Sequence, residues 1–367
     1  MVDNKNMTDK NSKIYPENEL QNYPIDSLLI RSEKRTVYEI TRRINQQKPN
    51  QTQFILNPYF QRDFFWSKEK QSKLIESCLM RVPLPVFYFA EQENGNIVVV
   101  DGLQRLIALK RYLSNEFALQ FTYKSPLQGQ TFEQLSPKLQ NRLEETQLIL
   151  YIIDYQVPEL IKLELFERVN SGESLTRQQM RHALYNGSST YWLKKQAQND
   201  LFKKNTGFTK NPCKEMRDCE YINRFCAFIL LGIDNYHDNM DQFLAETLKY
   251  MNEMTDSELN EQAEKFQRSM VNNNNVFGDF AFRNSHSKTR KCRLNIALFD
   301  VFSVCLSNYS ETEVSQQKDK ISQAFGILMN NKKFKSSINS NFAKANQKYN
   351  IEVRFSLVKQ MLNEVMK

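Results

Sequence analysis

The sequence is poor in several things at once. Its 367 residues hold nine glycines, two tryptophans and three histidines, and its six cysteines form no C-x-x-C pair. The glycine-built phosphate and nucleophile signatures are missing: none of the nine opens G-x-x-x-x-G-K-[ST], and there is no G-x-G-x-x-G or G-x-S-x-G. A P-loop enzyme, a dinucleotide dehydrogenase and an α/β-hydrolase are therefore disfavoured. The cysteine spacing supports neither a disulfide framework nor a zinc knuckle. His182, His237 and His286 show no metal-ligand spacing and read as structural or surface residues. No run approaches the eighteen or so apolar residues needed to cross a bilayer. The polar first twenty residues lack the apolar stretch of a signal peptide, so the chain reads as cytoplasmic with a disordered lead over residues 1–20. No internal repeat of fixed period is visible, and a solenoid is not expected.

What remains is a globular composition: 40% hydrophobic, 12% aromatic and 25% charged. The length suits about two domains. Fifty basic against forty-two acidic residues leave +8, a bias compatible with nucleic acid. That charge is spread out, since the excess from Asp200 onward is only +4. The tightest basic cluster is SKTRKCR, Ser287 to Arg293, and its Lys288, Arg290, Lys291 and Arg293 are candidate DNA contacts. A smaller cluster joins Lys332, Lys333 and Lys335. A solvated helix face or loop is the alternative for both.

Periodicity divides the chain near residue 200. Before it, short apolar runs alternate with helical patterns. Thr36 to Gln47 reads as a helix and Phe54 to Arg62 as a short strand running into a loop. Ser67 is placed to cap a helix with Leu74, Ile75, Cys78 and Leu79 on one face. PVFYFAEQ after Pro85 and Ile97 to Val100 form a hairpin through Asn94 and Gly95. Beyond Gly102 the period becomes 3.6, with Leu106, Leu109 and Leu113 on one stripe. Leu148 to Tyr155 reads as a strand, and Pro158 opens a helix through Leu163, Phe166 and Val169. After residue 200 the windows MRDCEYINRFCAFILLG, LNIALFDVFSVCLS, Glu311 to Met329 and IEVRFSLVKQMLNEVMK are helical, with Val271 to Asn275 expected as a loop. Cys219 and Cys226 share a helical face, which suits core packing. The expected fold is α+β: a small mixed sheet with helices over residues 21–200, then an all-helical bundle over 201–367.

The sharpest chemical feature is VVVDGLQRLIAL, Val98 to Leu109. A buried strand ends at Asp101 and Gly102, and a helix opens with Leu103, Gln104 and Arg105. At such a turn free backbone N–H groups and the helix dipole favour an anion. Gly102 lets the backbone approach a phosphate, Arg105 is suited to clamp it, and Asp101 to hold a metal or polarise water. An ordinary turn is the bland alternative. Gln61 and Arg62 precede the aromatic run Phe64, Phe65 and Trp66. In FERVNSGESLT a helix carrying Phe166 and Arg168 ends at Asn170, and Thr176 can cap the next one.

In this order and at these distances, the three segments resemble the N-terminal domain of GmrSD-type restriction systems, a bacterial family related to the ParB and sulfiredoxin-like fold. The matching residues are Gln61, Arg62 and Trp66, then Asp101, Gly102, Gln104 and Arg105, then Phe166, Arg168, Asn170 and Leu175. Gly102, Arg105 and Ala108 also fit the Gly-x-x-Arg-x-x-Ala phosphate block of ParB-like proteins. Leu103 departs from the family, which usually has Gln there; where that Gln positions a nucleophilic water, its replacement implies slow or absent hydrolysis with binding retained. The resemblance covers about residues 20 to 200. It implies a nucleotide-binding domain, in several members a nucleoside triphosphatase, that senses or is regulated by DNA in defence. In that reading Asp101, Gln104 and Arg105 are catalytic, Gln61, Arg62, Gly102, Arg105, Arg168 and Asn170 bind nucleotide, and Asp101 holds Mg²⁺. The His-dependent nuclease domain of many relatives is not seen, so a separately encoded nuclease or a homo-oligomer is an implied partner. The competing reading is a DNA-binding or regulatory module that binds nucleotide without turnover.

Overall fold

The computed structural model describes residues 29–45, 54–56, 66–169, 176–208, 215–284, 293–339 and 342–367. The expected lead over residues 1–20 lies outside them.

Five strands make one mixed sheet: β1 (Ile30–Thr36), β2 (Phe54–Ile55), β3 (Phe87–Glu91), β4 (Ile97–Asp101) and β5 (Gln147–Ile153), in the order β1-β5-β3-β4-β2. β1 runs antiparallel to β5 and β3 antiparallel to β4, whereas β3 pairs with β5 and β2 with β4 in parallel. The hairpin and the α+β class agree with the expectation. β1 was not anticipated, because IRSEKRT lacks the apolar alternation that marks a strand. Pairing with β5 through its whole length holds it instead, with Arg31 bonded to Glu33 and Glu91, and Arg35 to Glu33.

The period-2 alternation sends side chains to two faces. Phe87, Phe89, Ile97, Val99, Leu148, Leu150 and Ile152 face one core, shared with α1 (Val37–Asn45), α2 (Lys68–Leu79), α3 (Leu103–Leu113) and α4 (Pro137–Glu144). Ala90, Val100 and Ile153 face the other, under α5 (Glu159–Val169) and α6 (Arg177–Leu184). Local signals fix the helix starts. The Thr36 hydroxyl accepts from the Glu39 N–H at 3.2 Å while the Glu39 carboxylate accepts from the Thr36 N–H at 2.9 Å, a reciprocal cap. Ser67 caps α2 as expected, accepting from the Lys70 N–H at 3.2 Å, and Leu74, Ile75, Cys78 and Leu79 are buried.

The remaining elements are helical: α7 (Ser188–Gln196), α8 (Asp200–Thr206), α9 (Arg217–Leu230), α10 (Met240–Glu253), α11 (Asp256–Phe277), α12 (Ile296–Leu306), α13 (Glu311–Leu328), α14 (Lys332–Asn339), α15 (Phe342–Ala345) and α16 (Lys348–Val365). Cys219 and Cys226 lie in the bundle core as the helical spacing predicts. The loop expected over Val271 to Asn275 is instead helix, inside α11. Asparagine has poor helix propensity, and tertiary bonds override it. The Asn272 amide donates to the Leu306 carbonyl at 2.8 Å and to that of Tyr309 at 2.9 Å, and Asn273 donates to Phe302 at 3.3 Å. With Ser269 donating to Ser303 at 2.6 Å, α11 thus satisfies carbonyls at the end of the apolar helix α12.

One charged group sits in the middle of that core. Asp300, in the apolar run of α12, accepts from Arg224 Nε at 2.8 Å and Nη2 at 2.5 Å, and from Arg354 Nη2 at 2.9 Å. All three side chains are fully buried. The trio ties α9, α12 and α16 together.

Candidate functional site

Four of the expected residues stand at the junction of β4 and α3. Gly102 is the N-cap of α3, with φ +99° and no side chain to satisfy the first N–H groups; the first intrahelical bond runs from the Leu106 N–H to the Gly102 carbonyl at 2.9 Å. The N–H groups of Leu103, Gln104 and Arg105 therefore open the helix without intrahelical acceptors. Glycine is required here twice over. The positive φ disfavours any side chain, and a Cβ would lie 2.3 Å from Phe87 Cδ1 and 2.8 Å from its Cε1.

Arg105 holds this turn together. Its Nη1 donates to the Pro85 carbonyl, its Nη2 donates to the Val86 carbonyl at 3.0 Å and to Asp101 Oδ2 at 2.8 Å, and its guanidinium carbon lies 4.2 Å from the Phe87 ring centre. Burial pulls the Arg105 pKa down, and the adjacent Asp101 carboxylate opposes that pull. The guanidinium is thus a bracket between the start of β3 and the first turn of α3. Sequence reasoning found the arginine but not its partners, because a backbone carbonyl leaves no residue-type signature. Asp101 remains about one-third exposed and Arg105 about one-tenth.

Gln104 adds a further acceptor. Its Oε1 is buried and has no hydrogen-bond partner, a costly state for a carbonyl oxygen. Leu103, in the position where a glutamine was expected from the resemblance, packs against both the sheet core and the bundle core. Ala108 is fully buried beneath the same helix.

Gln61, Arg62, Asn170 and Leu175 lie outside the described residues. So do Lys288, Arg290 and Lys291, while Arg293 is exposed. Arg168 is 69% exposed near the end of α5, 3.9 Å from Glu164. Helices α5 and α6, which bracket the segment holding Asn170, both pack on β4. Thr176 caps α6 as expected, in a reciprocal pair with Gln179. A hollow of about 800 Å³ lies on the bundle, over Phe228, Val304 and Phe355, and none of its lining residues belongs to the junction.

Among the described residues no group of three or more His, Cys, Asp or Glu side chains is placed to hold a metal. A magnesium held mainly by a ligand's phosphates needs only one or two carboxylates. Asp101, whose Oδ2 faces Arg105, and the unsatisfied Gln104 oxygen fit that lighter demand.

Two further features were missed. Arg177 and Arg181 of α6 both bond Asp241 of α10, the latter at 2.5 Å, and Arg177 Nε reaches Glu167 at 2.9 Å, so charged pairs join the helices on the sheet to the bundle. His182 of α6 is fully buried, 3.2 Å from the Gln178 amide, and burial, then Lys194 and Arg181, lower its pKa to about 3. Its imidazole is neutral. His237 is exposed, as read from the sequence, and His286 lies outside the described residues.

Residues 37–186 match the family model described as the GmrSD restriction endonuclease, N-terminal domain. The match takes in β2 to β5 and the whole β4–α3 junction, in agreement with the resemblance read from the motifs. No curated protein and no solved structure matches the chain.

Proposed function

We propose that the chain is a component of a restriction or defence system of the GmrSD kind, and that its β4–α3 junction binds a nucleoside triphosphate with Mg²⁺ and hydrolyses it in connection with DNA contact. One observation carries the reading. Inside the family match, an uncapped helix start at a positive-φ glycine stands beside a carboxylate and an unsatisfied carboxamide oxygen.

The Leu103, Gln104 and Arg105 N–H groups bind phosphate oxygens, and the hydrogen at Gly102 leaves room for them. The Arg105 guanidinium fixes the Asp101 carboxylate and keeps the Pro85–Phe87 backbone in place, a positioning task that offsets phosphate charge at short range. Gln104 Oε1, which has no partner in the fold, accepts a hydrogen bond from the attacking water or from a ligand hydroxyl and so orients it. The resemblance also assigns nucleotide contacts to Gln61, Arg62, Arg168 and Asn170, and they keep that role in the proposed site. Asp101 would be the carboxylate that holds Mg²⁺, which when bound would supply charge neutralisation to the phosphates.

Phosphate release is the test. Wild-type chain with Mg²⁺ and each triphosphate, with and without duplex DNA, is expected to release phosphate, and Asp101→Ala to abolish it. Release unchanged in Asp101→Ala removes the assignment. The second reading, nucleotide binding without turnover in a DNA-binding or regulatory module, is favoured by the apolar packing of Leu103. Binding with no release from any triphosphate selects it.

A further inference from the structure

Three lysine- and arginine-bearing elements, far apart in sequence, are joined by hydrogen bonds in the bundle. Arg283 and Leu294 are partners in an isolated antiparallel bridge, a neck between a 3₁₀ turn and α12. On one side of the neck Arg283 Nη1 donates to the Asn205 carbonyl at 2.7 Å and Nη2 to that of Thr206 at 3.4 Å, so the arginine covers the C-terminal end of α8. That helix carries Lys203 and Lys204 in its last turn. On the other side the Asn284 amide donates to Asn339 Oδ1 at 2.7 Å and the Asn295 amide to the Ile338 carbonyl at 3.0 Å. These bonds fasten the neck to the C-terminal end of α14, the helix that Lys332 opens and on which Lys332, Lys335 and Asn339 share a stripe at helical spacing.

Among the described residues, the cations left at this surface are held in no ion pair. No described carboxylate is ion-paired with Lys203, Lys204, Arg293, Lys332, Lys333 or Lys335. Lys203 Nζ donates to Gln198 Oε1 at 3.0 Å, and Asp200 opens the same helix. Of the charges at the neck, Arg283 is spent on carbonyls, whereas Arg293 is exposed. The rings of the same elements, Phe202, Phe282 and Phe334, are buried. A platform for stacking unpaired bases is therefore missing from them, and the chemistry on offer is point charges for phosphates.

We propose that α8, the Arg283–Leu294 neck and α14 form one surface for the phosphate backbone of duplex DNA, recognised by charge and not by base sequence. The inference rests on the DNA contact proposed above and locates it in the bundle, away from the β4–α3 junction.

The test is fluorescence anisotropy of a labelled duplex with the full chain across a salt series. It compares wild type with Lys203→Gln/Lys204→Gln, with Lys332→Gln/Lys333→Gln/Lys335→Gln, and with Lys124→Gln/Lys138→Gln on the sheet side as a control of equal charge type. All these lysines except the half-buried Lys203 are exposed, and circular dichroism melting checks that each variant is folded. Each bundle variant is expected to bind roughly tenfold more weakly, with the log–log salt slope falling by about 1 for every lysine that meets a phosphate; the control keeps the wild-type slope. Wild-type binding with unchanged affinity and slope in both bundle variants overturns the surface while leaving DNA contact standing. Failure of the wild type to bind any duplex overturns both. Tighter binding of single-stranded RNA with the same lysine dependence overturns the duplex assignment.

Discussion

The two halves of the molecule each contain an aspartate bonded to arginine, and the two pairings behave as opposites. In the bundle Asp300 is enclosed with Arg224 and Arg354, and the trio joins three helices. At the β4–α3 junction Asp101 meets Arg105 with part of its carboxylate open, beside a helix start that lacks a cap. Complete burial turns a charge pair into a fastener, whereas partial burial leaves lone pairs and N–H groups for a ligand. The two equally buried arginines on Asp300 are shifted in opposite directions. Burial and Arg224 push Arg354 down to about 10, against the pull of Asp300, while Asp300 holds Arg224 up against its desolvation.

Substitutions sharpen this contrast, beginning with the largest effect. Asp300→Asn leaves two buried guanidinium groups without an anion and is expected to cost about 3–5 kcal/mol, read as loss of the cooperative unfolding transition of the bundle. A near-wild-type denaturation midpoint would contradict the fastening role. Gly102→Ala places a methyl against the Phe87 ring at a positive φ. It is expected to cost about 3 kcal/mol, from strain and overpacking together. Chemical denaturation measures the loss, and nucleotide binding should fall with it.

His182 gives a pH-dependent prediction. Its folded pKa, about 3, lies below the ordinary histidine value near 6.5. Between these values the unfolded chain binds the proton and the folded chain does not, so stability is complete above about pH 6.5 and declines as pH falls toward 3. Roughly 2 kcal/mol is lost by about pH 5 from this group alone. His182→Gln should flatten that part of the stability–pH curve, and an unchanged slope would show that the imidazole is protonated in the fold. The smallest effect is that of Asp101→Asn on stability. The pair is partly exposed, so the expected loss is about 1 kcal/mol or less, against complete loss of phosphate release.

Much of the sheet half was legible because its signals are local. The hairpin of β3 and β4, the Ser67 and Thr176 caps and the strand-to-helix turn at Gly102 each follow from neighbouring residue types. β1 was not legible: in IRSEKRT the partner strand β5, more than a hundred residues away, supplies the order. The helix through Val271 to Asn275 was misread because the carbonyls that hold its asparagines belong to another helix. Asp300 carried a usable signal, since a single carboxylate in the run ALFDVFSVCL must be paired if buried. Of the candidate site, Asp101, Gly102, Gln104 and Arg105 could be named from the turn. The bonds from Arg105 to Pro85 and Val86 could not, because any residue presents a carbonyl.

The central claim is that the junction opposite the bundle fastener is a triphosphate site, and equilibrium binding reaches it without requiring turnover. Titration calorimetry of the full chain with a non-hydrolysable triphosphate and Mg²⁺ is expected to show saturable binding in the wild type. In a variant carrying both Asp101→Ala and Gln104→Ala, folded by its melting profile, that binding should be lost. Identical binding heats and affinity in the two proteins would contradict the account.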